Sequence, residues 1–249
     1  MRSIKKASRV EVSPACRWAN LFFFPAALLL TWLGAVPAGH AGCVSSGNET
    51  NAASLNSVIG VNATVARLQD RYDCTRTLQA NFDETISSPG GVTRSRKGTV
   101  YFKKVGRMRW DFGAPSEGSV VSDGKTVFDY EKDLNQVVEL PLNKALKSNA
   151  TAFLLGLGDI RSDFKISAPA KPPKDNLKHL ILIPKNGGDT IDVGIDPKNY
   201  DIVNFRLINQ VGGVTELKFT DIRTNLTLDD SLFSFTVPDG ADIVRPQNS

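Results

Sequence analysis

Proton transfer near neutral pH calls for a histidine, and beyond the first 41 residues this chain has one, His179. A serine hydrolase would need it as general base. Its surroundings, Asn176-Leu177-Lys178-His179-Leu180, read as the start of a strand and contain nothing that marks a catalytic loop. The HExxH, CxxC, P-loop, GxSxG and GxGxxG arrangements, which place metals, redox thiols, phosphates, an activated serine or a dinucleotide, do not occur. Asp229-Asp230 and Asp242 are clustered carboxylates without the loop spacing that calcium needs, so they read as solvated turn residues. These residue types predict a protein that is not an enzyme and that holds no metal and no cofactor.

Two cysteines offer other chemistry, provided the chain is exported. Arg2, Lys5, Lys6, Arg9 and Arg17 precede an apolar run from Leu21 to Val36, and Gly39-His40-Ala41 supplies the small residues of a cleavage site. The run is shorter than the ~20 residues that span a bilayer, and Pro25 and Pro37 interrupt it, so residues 1–41 read as a cleaved signal peptide rather than an anchor. Cys16 leaves with the signal; Cys43 and Cys74 remain where disulfides persist. Three outcomes stay open. A Cys43–Cys74 bridge would stabilise by ~3–4 kcal/mol in the chain-entropy model. Cys43 could instead be lipidated, since Ala41-Gly42-Cys43 ends like a lipoprotein signal, although His40 stands where an aliphatic residue is usual. Both thiols could also be free.

The elements that must position any site are mostly strands. Residues 42–54 are polar and aperiodic, as in a flexible leader, and the domain proper is expected over 55–249. Val61, Val65, Leu68 and Tyr72 fall on one face of an amphipathic helix. From Leu78 the period is two: Leu78, Ala80, Phe82 and Ile86 alternate with polar residues, and Ser88-Pro89-Gly90-Gly91 closes a hairpin. Val92–Lys104 continues the sheet, Met108, Trp110 and Phe112 alternate with Arg107, Arg109 and Asp111, and Asp123-Gly124 turns the chain between Val120-Val121 and the alternating Thr126, Phe128 and Tyr130. Gln136–Leu140 is the next strand. Asn143–Leu157 reads as short helices, and sheet signals return at Asp163–Ser167, Leu177–Ile183, Ile191–Ile195, Ile202–Ile208, Val214–Ile222 and Phe233–Val237.

About eleven strands joined by hairpins predict an α+β, mainly β fold: a single curled antiparallel sheet forming an incomplete barrel, with the N-terminal helix and the mid-chain helices over its concave side. The rows Phe82, Phe102, Met108-Trp110-Phe112 and Phe128-Tyr130 then either line an apolar cavity or form the packed core. Removing residues 1–41 takes five basic residues and one acidic residue from totals of 30 and 26, so the mature chain is neutral. Neutrality without a basic stripe argues against nucleic acid as a partner.

Several segments in order resemble the LolA family over about residues 60–244. They are Gly98-Thr99-Val100-Tyr101-Phe102-Lys103-Lys104 followed by Arg107-Met108-Arg109-Trp110, the hairpin Val121-Ser122-Asp123-Gly124-Lys125, Leu134-Asn135-Gln136-Val137 followed by Pro141-Leu142, then Phe153-Leu154-Leu155-Gly156, and Leu232–Gly240 as a closing strand. The resemblance implies a periplasmic carrier that binds lipoprotein acyl chains in a hydrophobic cavity and takes them from an inner-membrane lipoprotein-releasing transporter to an outer-membrane receptor, as a monomer. It adds Phe153 and Leu154 of the lid helices to the lining. It also places Lys104-Val105 where the family usually has Arg-Pro, which makes Lys104 the candidate for a latch holding the lid around Phe153–Gly156 over the empty cavity. The alternative is an outer-membrane receptor of this fold lipidated at Cys43, and behind it stands an envelope lipid-processing esterase, which would have to rely on His179.

Overall fold

Alternation of apolar and polar residues with period two commits most of the chain beyond Thr77 to strands, and the computed structural model follows it. It describes residues 49–115, 117–145, 159–171 and 173–246, with side chains from residue 60 onward. Among the described residues there are twelve strands: β1 (Thr77–Ser87), β2 (Thr93–Lys103), β3 (Arg107–Phe112), β4 (Gly118–Asp123), β5 (Thr126–Glu131), β6 (Gln136–Pro141), β7 (Phe164–Ser167), β8 (Lys178–Pro184), β9 (Thr190–Ile195), β10 (Ile202–Ile208), β11 (Val214–Thr224) and β12 (Asp242–Val244). They form one sheet in the order β12-β6-β5-β4-β3-β2-β1-β11-β10-β9-β8-β7. Every neighbouring pair is antiparallel except β12 against β6, which is parallel.

The sheet curls without closing. Trp110 on β3 and Phe219 on β11 are three strand spacings apart in the order, roughly 14 Å on a flat sheet. Their rings nevertheless approach to 6.3 Å across the concave face. Helix α1 (Glu49–Cys74) lies in this concavity and buries Val65 and Leu68 against Ala80, Phe82, Val100, Phe205 and Leu217, with Val61 and Tyr72 packed at the margin. Each fully buried aliphatic side chain contributes about 1.5–3 kcal/mol. Arg71 anchors the helix to the loop before β10 through Asp201 at 2.7 Å and to β11 through Thr224 at 3.1 Å. The helix ends where the Thr75 hydroxyl donates to the Arg71 carbonyl at 2.8 Å.

Four expectations change. Helix α1 already begins at Glu49, inside the stretch read as a flexible leader; Glu49, Ala52 and Ala53 favour helix without needing an amphipathic stripe. Asp163 belongs to a helical turn, Ile160–Asp163, rather than to β7, because the Asp159 carboxylate accepts from the Arg161 and Ser162 amides and caps that turn. Phe233–Val237 is not a strand: Asp230–Phe233 is a 3-10 turn capped by the Asp229 carboxylate, and the next residues run extended outside the sheet. The edge strand at that end is β12, three residues that the sequence pattern did not show. Of the mid-chain helices, Leu142–Ala145 is helical, while residues 146–158 lie outside the described residues.

Candidate functional site

The register sorts the predicted lining residues onto two faces. Cross-strand partners share a face, and the chain of partners Phe102–Met108–Ser122–Val127 runs along the concave side. Trp110 pairs with Val100 and Val120, and Phe112 with Gly98, on that same side. Phe82, Phe102, Met108, Trp110 and Phe112 therefore form one floor. Phe82 meets Trp110 edge-on at 4.8 Å and Phe112 at 5.5 Å, and Phe102 meets Trp110 at 5.8 Å. Phe82 and Met108 are buried, while Phe102, Trp110 and Phe112 are half-buried. Its deep members hold the sheet to α1, and its shallower rings retain exposed surface.

Phe128 and Tyr130 stand on the other face. Phe128 pairs with Val121 and Glu139, a row that continues through Arg109 and Tyr101 on the convex side. Their partner is the C-terminal segment, whose Phe235 stacks on Phe128 at 5.2 Å and tilts against Tyr130 at 6.3 Å. Both residues leave the cavity-lining set. Lys103 and Arg107 reach the same segment through the Asp230 carboxylate, at 2.5 and 2.7 Å, and Lys103 also donates to the Leu228 carbonyl at 2.8 Å. These contacts hold the Asp230 carboxyl below the usual carboxylate range, the Lys103 hydrogen bond being the main cause. The Asp229 carboxyl is lowered too, by its hydrogen bonds to Ser231, so both aspartates are structural turn residues as expected.

A cleft opens where the floor passes beneath the last turn of α1. It encloses about 740 Å³ of empty space, its open mouth included. Leu78, Ala80, Phe102, Ile202, Phe219 and Ile222 form its apolar walls, and Arg71, Arg76 and Lys104 stand at its rim. Among the walls, only Phe102 was singled out as lining from the sequence. Leu78 and Ala80 lay on the correctly read alternating face of β1, whereas Phe219 and Ile222 were hidden in a long strand whose position beside β1 no local pattern reveals. Burial beneath this turn raises the Tyr72 phenol far above its ordinary range, with the Asp201 carboxylate adding to the effect.

Lys104 bridges sheet and helix. Its ammonium donates to the Tyr72 carbonyl at 2.7 Å, which also accepts from the Thr75 amide at 3.2 Å, and to the Asp73 carbonyl at 3.4 Å, both in the last turn of α1. The expected partners around Phe153–Gly156, and the lining candidates Phe153 and Leu154, lie outside the described residues. Cys74 is disulfide-bonded; its expected partner Cys43 also lies outside them.

His179 is not placed to act as a base. Its side chain is 6% exposed, Nδ1 is 3.0 Å from the Asp192 carboxylate and Nε2 is 3.0 Å from that of Asp175, so both nitrogens are engaged. Burial alone would lower its pKa, but the hydrogen bonds to Asp192 and Asp175 outweigh it and raise the imidazole above its ordinary 6.5. Among the described residues no cluster of histidine, cysteine and carboxylate side chains could hold a metal ion, and no helix is long and apolar enough to cross a membrane.

An amphipathic helix on a curled, unclosed sheet is the arrangement that the strand and helix pattern predicts. The family model described as outer membrane lipoprotein carrier protein LolA matches residues 73–236. The chain belongs to the LolA family. An outer-membrane lipoprotein carrier protein of Cupriavidus necator is 34% identical over 157 residues, 63% of this chain and 74% of that protein. Another of the same description from Bordetella pertussis is 31% identical over 188 residues, 74% of this chain and 87% of that protein. Among solved structures, a LolA superfamily protein from Nitrosomonas europaea aligns with 70% of this chain and 97% of its own, at 11% identity and a TM-score of 0.42. In this LolA-family chain the concave floor and the cleft under α1 form the candidate site, with Lys104 between the sheet and the helix.

Proposed function

We infer that this chain is a periplasmic, non-catalytic carrier that binds lipoprotein acyl chains on its concave floor and moves them from the inner-membrane release complex to the outer membrane. The observation that carries the reading is the cleft beneath α1, walled by aliphatic and aromatic side chains and continuous with the rings of Phe102 and Trp110. Each acyl methylene withdrawn from water is worth ~0.8 kcal/mol, so a cleft of this kind offsets the exposure of chains that could not cross an aqueous space bare. No covalent step is needed, which lets the cargo leave again. The signal peptide, residues 1–41, is cleaved in this reading, and the mature chain works as a monomer that meets a releasing transporter and a receptor in turn.

The disulfide of Cys74 supports a carrier over a lipidated receptor. After cleavage Cys43 is the one other cysteine, and a sulfur joined to Cys74 has no valence left for a lipid thioether. The engagement of both His179 nitrogens supports a carrier over an esterase. Purified mature protein should bind an apolar fluorophore that a lipoprotein displaces, and should release that lipoprotein to acceptor membranes. Absence of binding by protein of native circular dichroism would sink the reading.

A further inference from the structure

We propose that the paired tips of the β1–β2 and β10–β11 hairpins are a membrane-contact surface that seats on a bilayer with anionic headgroups. Val92 is 69% exposed and Val211 is 76% exposed, the former at one tip and the latter at the other. The tips touch: a Cβ built on Gly212 would lie 3.9 Å from Pro89 Cγ. Single exposed valines need no explanation, but these two stand on adjoining turns at one end of the sheet.

Lipid tolerates backbone only where its polar groups are satisfied internally. Both tips satisfy part of their backbone in this way, which suits seating among headgroups rather than in the hydrocarbon. The Ser88 amide donates to the Val92 carbonyl at 2.9 Å and the Gly91 amide to the Ser88 carbonyl at 2.9 Å. At the other tip the Asn209 side-chain oxygen accepts from the Val211 amide at 3.2 Å and the Gly213 amide at 2.7 Å, while the Gly212 amide donates to the Asn209 carbonyl at 3.0 Å. The valines are therefore held out by ordered turns.

Charge gives the direction. Residues 85–95 and 207–215 contain one charged side chain, the exposed Arg94, and no acid, in a chain that is 22% charged. That balance suits an interface of anionic phosphates. A protein partner fits less well, because stable docking needs about 800 Å² on each side and two hairpin tips offer far less. Inward from the tips, Ile86 on β1 and Leu207 on β10 face the concave side, where Arg94 is the cross-strand partner of Ile86 and the Glu84–Arg96 ion pair stands between Ile86 and Phe82. The tips are therefore a surface separate from the apolar floor, and the proposal does not rest on the carrier reading.

The test is flotation of the processed full chain with vesicles of phosphatidylethanolamine and phosphatidylglycerol, and with phosphatidylcholine alone. Wild type should partition to the anionic vesicles, and Val92→Asn with Val211→Asn should lower that partition by about tenfold. Arg94→Gln should lower it by about threefold on anionic vesicles and leave the zwitterionic ones unchanged. Val92→Trp and Val211→Trp should bind more tightly, with a blue shift in emission. Val105→Asn, which alters a valine 74% exposed at another turn, should have no effect. The proposal is overturned if wild type floats with neither vesicle, if the double asparagine variant floats like wild type, if Val105→Asn matches it, or if the free chain is a dimer that the double variant dissolves. Fluorophore binding without vesicles should be unchanged in every tip variant; its loss in wild type would remove the carrier reading and leave the membrane affinity of the tips standing.

Discussion

Replacing Lys104 with leucine should slow cargo release, and the geometry sets the size of the effect. The wild-type ammonium lies 2.7 Å from the Tyr72 carbonyl and 3.4 Å from that of Asp73, at the negative end of α1 and on the rim of the cleft. A hydrogen bond to a charged group contributes ~1.5–3 kcal/mol where solvent is excluded. Lys104 is exposed, so screening reduces this to about 1 kcal/mol, in line with a cation beside a helix C-terminus. We propose that this stabilisation belongs to the empty form and that cargo entering the cleft lifts the last turn of α1 from the sheet. Losing it shifts the balance between empty and loaded forms about fivefold toward the loaded form. Transfer of a labelled lipoprotein to acceptor liposomes should therefore slow by about fivefold in Lys104→Leu, with tighter retention, while Lys104→Arg keeps or strengthens the latch. Wild-type transfer and retention in Lys104→Leu would refute the reasoning and make Lys104 an ordinary helix-capping charge.

Trp110→Glu should weaken fluorophore binding by about tenfold or more, because a carboxylate would meet acyl chain without a partner, whereas Phe128→Ala should leave binding intact and cost about 1–2 kcal/mol in chemical denaturation by releasing Phe235. Leu68→Ala, which empties a fully buried site between α1 and the sheet, should cost about 2–5 kcal/mol in the same assay. The pKa of His179 is higher folded than unfolded, so its contribution to stability is complete below about 6.5 and is lost as pH rises through the folded value. Amide exchange in residues 173–178 should accordingly quicken above neutral pH, and His179→Gln should flatten that dependence. Thiol labelling of denatured, unreduced periplasmic protein should leave Cys74 unmodified; labelling of both mature cysteines would exclude the bridge.

Local chemistry was enough to read β1 to β6 and β8 to β11, because alternation and turn residues act over a few positions. Leu78, Ala80 and Phe82 alternate on one wet-faced strand, Ser88-Pro89-Gly90-Gly91 turns it, and Asp123-Gly124 turns β4 into β5, all as the sequence predicts. The one-sided stripe Val61, Val65, Leu68 and Tyr72 likewise placed α1 against the sheet. Which face an alternating row occupies was beyond local reach. Thr126, Phe128 and Tyr130 looked like the inner row of β5, yet the pairing of Phe128 with Val121 puts Val127 and the partly buried Asp129 inward instead. Burial raises the Asp129 carboxyl there, with Glu131 adding and Arg96 opposing. The outer row could be aromatic because the C-terminal segment, about a hundred residues later in sequence, covers it with Phe233 and Phe235. For the same reason the alternation of Phe233, Phe235 and Val237 resembled a strand without being one: apolar spacing records what a face packs against, while strand identity depends on a backbone partner that only the assembled sheet supplies. The partners of Lys104 and the far wall of the cleft belong to that second kind of information, since α1, β2 and β11 meet only after the sheet has curled.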